Sequence, residues 1–68
     1  MELSLRNQLK GRITEIVRSD VVSEVTVETA AGLISAVITT RSIDRLALKV
    51  GDDVHALIKA TEVGIEKS

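Results

Sequence analysis

The chain has 68 residues, a formal net charge of −1 from nine basic and ten acidic side chains, and no cysteine, phenylalanine, tyrosine or tryptophan. That excludes a disulfide framework and thiolate metal sites, denies single-stranded bases an aromatic stacking platform and leaves no basic footprint for a nucleic acid. At this length one domain over residues 1–68 is expected, with a core that is marginal alone; the 44% of hydrophobic residues, nearly all aliphatic, makes self-association the expected source of further stability.

Period-two alternation dominates the chain. From Gln8 to Val17, Leu9, Gly11, Ile13, Glu15 and Val17 share one face and Gln8, Lys10, Arg12, Thr14 and Ile16 the other, a long strand in which Glu15 is the exception. Arg18-Ser19-Asp20 is a polar break. Val21 to Thr29 alternates again, Val21, Ser23, Val25, Val27 and Thr29 against Val22, Glu24, Thr26 and Glu28, and its β-branched content favours a strand. Ala30-Ala31-Gly32 is a short connection whose glycine can take positive φ and close a hairpin. Leu33 to Thr39 reads as a third strand. The period then changes: Ile43, Leu46 and Ala47 stand at helical spacing, with Thr39 or Thr40 as N-cap. A turn around Val50-Gly51-Asp52 leads into a fourth strand, Asp53 to Ala60, and a short fifth strand is expected near Val63-Gly64-Ile65. Five strands and one short helix make the fold class all-β and suggest a small barrel; the strand count does not fix the topology, and the expected OB-like five-stranded antiparallel barrel draws mostly on the family resemblance described below.

Little here suits catalysis. No glycines of a nucleophile elbow surround any serine. The single histidine, His55, is flanked by Val54 and Ala56 on a strand and reads as structural or surface, and the Asp52-Asp53 pair lies in a turn. The four glycines are scattered rather than gathered into a phosphate-cradling loop. No enzyme is expected. Anion binding is better supplied. Ser4, Arg6 and Asn7 offer a hydroxyl, a guanidinium fork and a carboxamide within four residues, Lys59 a compact ammonium, and Thr39, Thr40 and Ser42 hydroxyls beside the start of the helix. Each also has a plain structural reading: solvated surface for Arg6, Asn7 and Lys59, helix capping for Thr39 and Ser42. No apolar run approaches the ~20 residues of a membrane span and no signal-peptide pattern opens the chain, so a cytoplasmic protein without membrane contact is expected.

Two stretches together resemble one family. Ser4-Leu5-Arg6-Asn7-Gln8-Leu9-Lys10-Gly11 is similar to the Ser-Ala-Arg-Asn-Gln-Leu-x-Gly signature of the molybdate-binding Mop domain, called molbindin when it stands alone, with Leu5 where alanine is usual. Ile58-Lys59-Ala60-Thr61-Glu62-Val63 resembles its late Ile-Lys-[Ser/Ala]-x-x-Val segment. The match runs from about Ser4 to Ile65, which implies the free binding protein rather than the module carried by transport ATPases and molybdate-responsive regulators. The resemblance implies strand-exchanged dimers gathered into a homo-oligomeric hexamer, a trimer of dimers, with oxyanions held between copies. By position, Ser4, Arg6, Asn7 and Lys59 match one shell of the ligand, and Thr39 and Ser42 another. The implied ligand is molybdate, with tungstate little discriminated; the implied role is storage or homeostasis, with no cofactor. Two rival readings are an OB-type nucleic-acid-binding module and an oligomeric interaction module without a functional anion site. The missing aromatics and the negative net charge count against the first.

Overall fold

The computed structural model describes residues 7–68. Four strands, β1 (Asn7–Val17), β2 (Val22–Thr29), β3 (Gly32–Thr39) and β4 (Asp53–Ile58), pair antiparallel in the order β3-β2-β1-β4, and a single α-helix, α1 (Thr40–Leu46), joins β3 to β4. The sheet curls into a half-barrel. On its concave side Ile13, Val25, Val27 and Ile43 are buried, and Ile16, Ile38, Leu48 and Val54 pack against them. Alternation in β2 does what the residue pattern predicts, with Ser23, Val25 and Val27 inward and Glu24 and Glu28 outward. The β2–β3 hairpin closes over Ala30 and Ala31, with Gly32 at φ 120°. The Thr29 hydroxyl stitches this turn, accepting from the Ala31 N–H at 3.1 Å and donating to the Gly32 carbonyl at 2.8 Å.

β1 departs from simple alternation. Ile13 pairs with Val27, but Glu15, not Thr14, pairs with Thr26, so Thr14 is the extra residue of a bulge. The bulge reverses the faces beyond it: Ile16 joins the core, while Glu15 and Val17 point outward. This removes the Glu15 exception and corrects the expected faces of Ile16 and Val17. The cause is non-local. Ile13 donates its N–H to the Asp52 carbonyl at 3.0 Å, and its own carbonyl accepts from Gly51 N–H at 2.8 Å. Asp52 is also part of that turn, its carboxylate accepting from Lys49 N–H at 2.9 Å. Of the two acids in this turn, Asp52 is thus a turn cap, and Asp53 sits 3.6 Å from the Arg12 guanidinium.

α1 begins at Thr39, whose hydroxyl accepts from Ser42 N–H at 3.1 Å, so Thr39 and not Thr40 is the N-cap. It ends in a Schellman arrangement, with Ala47 N–H bonded to the Asp44 carbonyl and Leu48 N–H to the Ile43 carbonyl. Ala47 occupies the left-handed position at φ 53°, ψ 43°, where a Cβ is unfavourable. Ala47→Gly is expected to raise stability by about 0.5–1 kcal/mol, the relief of the αL strain exceeding the extra unfolded-state entropy of glycine. Chemical denaturation of the two proteins checks this; a lower midpoint for the variant would refute it.

The expected fifth strand is absent from the described residues. A 3₁₀ turn, Ala60–Glu62, follows β4, and residues 63–68 take no regular structure, with Ile65 93% exposed. A strand needs a neighbour for its backbone groups, and among the described residues none pairs with this segment. The barrel is correspondingly open. Between the edge strands lies an apolar trough of about 430 Å³, lined by Ile34, Ala36 and Ile38 from β3 and Val54, Ala56 and Ile58 from β4. Among the described residues, no helix is long and apolar enough to cross a membrane.

Candidate functional site

Of the six candidate ligands, Ser4 and Arg6 lie outside the described residues. Asn7 opens β1 and pairs with Ile58, the last residue of β4. Its side-chain amide donates to the Ile58 carbonyl at 3.2 Å and keeps a second hydrogen to offer. Lys59 follows directly and is exposed, with extended backbone (φ −65°, ψ 135°) ahead of the 3₁₀ turn. The β1–β4 register therefore brings Asn7 and Lys59 to one corner of the sheet.

Thr39 and Ser42 form the other group. Their hydroxyl oxygens are 2.7 Å apart. A single hydrogen serves that contact, so the pair retains one O–H that can donate outward. The seven-residue helix behind them is too short to present a strong dipole; the hydroxyls are the usable donors. Arg41, exposed, stands beside Thr39, and the two line a cleft of about 250 Å³ with Asp20 and Val21. Among the described residues the ion pairs are Arg12–Asp53 and Arg18–Asp44, both exposed, and neither engages Arg41 or Lys59. Exposed pairs of this kind stabilise by about 0–1 kcal/mol each.

The two groups do not meet within one chain. Asn7 is the first residue of β1; Thr39 pairs with Val22 at the far end of the sheet, where Val17 pairs with Glu24. Ten residues of β1 separate these levels, on the order of 30 Å of strand, in a molecule whose longest extent is 37 Å. No tetrahedral anion spans that distance.

Two buried hydroxyls matter locally: Ser23, which is not among the candidates, and Thr40, whose hydroxyl is turned inward rather than offered to an anion. Ser23 and Thr40 are 3% and 8% exposed, and their oxygens are 2.6 Å apart. The signal for Ser23 is present in the chain, as one polar residue among inward-facing valines. Thr40 carries no such signal, since next to Thr39 it reads equally as a cap. His55 is exposed on β4 opposite Lys10, and no group of three or more metal-ligating side chains converges among the described residues.

Residues 3–65 match the TOBE domain family. The chain is 39% identical over 66 residues to molybdenum-pterin-binding protein 3 of Clostridium pasteurianum, covering 96% of this chain and 97% of that protein. Its fold is similar to that of a molybdate-binding protein from Sporomusa ovata, with a TM-score of 0.93, 37% identity, and coverage of 98% of this chain and all of that one. It is also similar to the cytoplasmic molybdate-binding protein ModG, solved with molybdate bound, with a TM-score of 0.81 and 36% identity over 88% of this chain and 43% of that one.

Proposed function

Because this chain belongs to the TOBE domain family, we propose that it binds molybdate, and tungstate alike, at sites shared between copies of itself. One observation carries the shared site: the matching donors stand at opposite ends of the sheet, Asn7 and Lys59 at one and Thr39 and Ser42 at the other. If both groups serve one small anion, they come from different chains. In this reading Ser4, Arg6, Asn7 and Lys59 of one copy form one side of the site, and Thr39 and Ser42 of another copy form the other. The identity of the anion is supported by the relatives, which are named for molybdenum or molybdate.

The mechanism is capture without chemistry. A tetrahedral dianion is costly to bury unless its oxygens receive donors. Arg6 and Lys59 answer with charge-assisted bonds and the hydroxyls and carboxamide with neutral ones. Local charge decides the field, so a chain of net charge −1 can hold a dianion where cationic groups of different copies meet. Assembly proceeds by strand exchange: Val63 to Ile65 of one copy lies along the apolar trough of another and completes its barrel, and such dimers gather into the hexamer that the motif resemblance implies. The exposure of Ile65 and the open trough support this. The role is storage or homeostasis in the cytoplasm, where the structurally similar ModG is described.

Calorimetric titration of the purified protein with molybdate, with sulfate and phosphate as competitors, tests the function. Saturable heat that excess sulfate leaves in place is the expected result, with a stoichiometry counting sites per oligomer. Absence of saturable heat from protein that sedimentation shows to be folded and oligomeric would refute molybdate binding.

A further inference from the structure

We infer that the buried Ser23–Thr40 hydroxyl pair is a positioning device that sets which size of tetrahedral oxyanion the Thr39–Ser42 half of the site accepts. The inference rests on the reading that Thr39 and Ser42 take part in that site. Four hydrogen bonds carry it. Thr40 donates its N–H to the Val21 carbonyl at 2.9 Å and its O–H to the Ser19 carbonyl at 2.6 Å. With its single hydroxyl hydrogen so used, Thr40 Oγ1 is the acceptor in the 2.6 Å contact with Ser23, whose O–H therefore donates. Ser23 Oγ in turn accepts from Ser19 N–H at 3.3 Å. The chain of donors is closed, and among the described residues no buried side-chain polar atom is left without a partner.

The position of this network gives it a use beyond holding the fold. Asp20 and Val21 form one wall of the 250 Å³ cleft, Thr39 and Arg41 the other. Ser19 and Val21 supply the carbonyls on the first side, and Thr40 lies between Thr39 and Arg41 on the second. The network thus ties wall to wall. Apolar packing of the same shape would tolerate sliding, whereas hydrogen bonds fall off steeply with length and angle. Buried and mutually polarised, they hold the Thr39 and Ser42 hydroxyls at a set reach. Molybdate and sulfate share charge and shape and differ in size, so donor reach is the property that can separate them.

The test measures molybdate and sulfate affinities by competition calorimetry in the wild-type protein and in Ser23→Ala, Thr40→Val, Thr40→Ser and Ser42→Ala. Ser23→Ala and Thr40→Val are each expected to weaken molybdate binding by up to roughly tenfold, the worth of about one donor contact to the anion lost when Thr39 and Ser42 are no longer held in place, while sulfate changes much less, so the molybdate-to-sulfate ratio falls. Thr40→Ser keeps the hydroxyl and is expected to restore the ratio, an outcome that a purely structural role in stability does not produce. Ser42→Ala is expected to weaken both anions. In ligand-free protein, Ser23→Ala is also expected to speed hydrogen exchange of the Ser42 amide, which bonds to Thr39 Oγ1 at 3.1 Å. Should Thr40→Val fail to fold, the milder Ser23→Ala decides. A folded Ser23→Ala protein with wild-type affinity, ratio and exchange would overturn the positioning role. Wild-type molybdate affinity in Ser42→Ala would instead remove Ser42 from the site, and with it the reading on which the inference stands.

Discussion

In the Arg6→Ala protein, saturable molybdate binding is expected to disappear from the calorimeter while sedimentation still finds the wild-type oligomer. Arg6 lies outside the described residues; in the chain it stands one residue ahead of Asn7, which shares a corner of the sheet with Lys59. A guanidinium presents parallel N–H groups that match two oxygens of an oxyanion, and it stays charged at any accessible pH. Truncating one partner of a desolvated, hydrogen-bonded charge pair costs about 2–5 kcal/mol, or roughly 30-fold to several thousand-fold in affinity. Arg6→Lys keeps the charge and loses the fork, and its affinity is expected between the two. Arg6→Ala protein that binds molybdate as tightly as wild type would remove Arg6 from the site.

The second large effect concerns Gly11. A Cβ built at this position meets the Glu28 carbonyl oxygen, Val27 Cγ1 at 2.7 Å and Thr29 Cγ2 at 2.9 Å. The first of these is backbone of β2, so relief requires the strands to part where β1 is paired on both sides, with Thr29 of β2 and Val54 of β4. Overpacking of a well-packed site costs about 1–3 kcal/mol, and a rigid backbone neighbour places this one at the upper end. In a domain of this size each kcal/mol lowers the melting temperature by about 4–8 °C, so Gly11→Ala is expected to melt on the order of 15 °C below wild type. A thermal scan that finds the two within about 3 °C, less than 1 kcal/mol, would refute the close-approach account. Molybdate stoichiometry per folded chain is expected to be unchanged, because Gly11 spaces strands and offers the anion nothing. The motif containing Arg6, Asn7 and Gly11 thus divides into proposed ligands and a packing residue.

Much of the fold was legible in the residues themselves. β2 reads directly from inward Val25 and Val27 against outward Glu24 and Glu28, because the side-chain period of a strand is a local property. A cap at Thr39 or Thr40 and Gly32 in the hairpin were legible for the same reason: capping and positive φ are set within a few residues, while the choice of Thr39 came from the structure. The family, too, was carried by two short motifs, and the match over residues 3–65 agrees with it. Tertiary structure decided the rest. The bulge at Thr14 turns Ile16 into the core through bonds from Ile13 to Gly51 and Asp52, a contact that no alternation in β1 encodes. Thr40 is a buried tie rather than a cap because Ser19 and Ser23 are folded against it. Val63 to Ile65 has the alternation of a strand but no paired neighbour among the described residues, and strand identity requires one. Composition and local pattern thus determined which residues can donate, cap or alternate. Only the three-dimensional register determined that Asn7 and Lys59 share a corner while Thr39 and Ser42 stand at the far end, because pairing between distant strands sets distances that spacing along the chain does not.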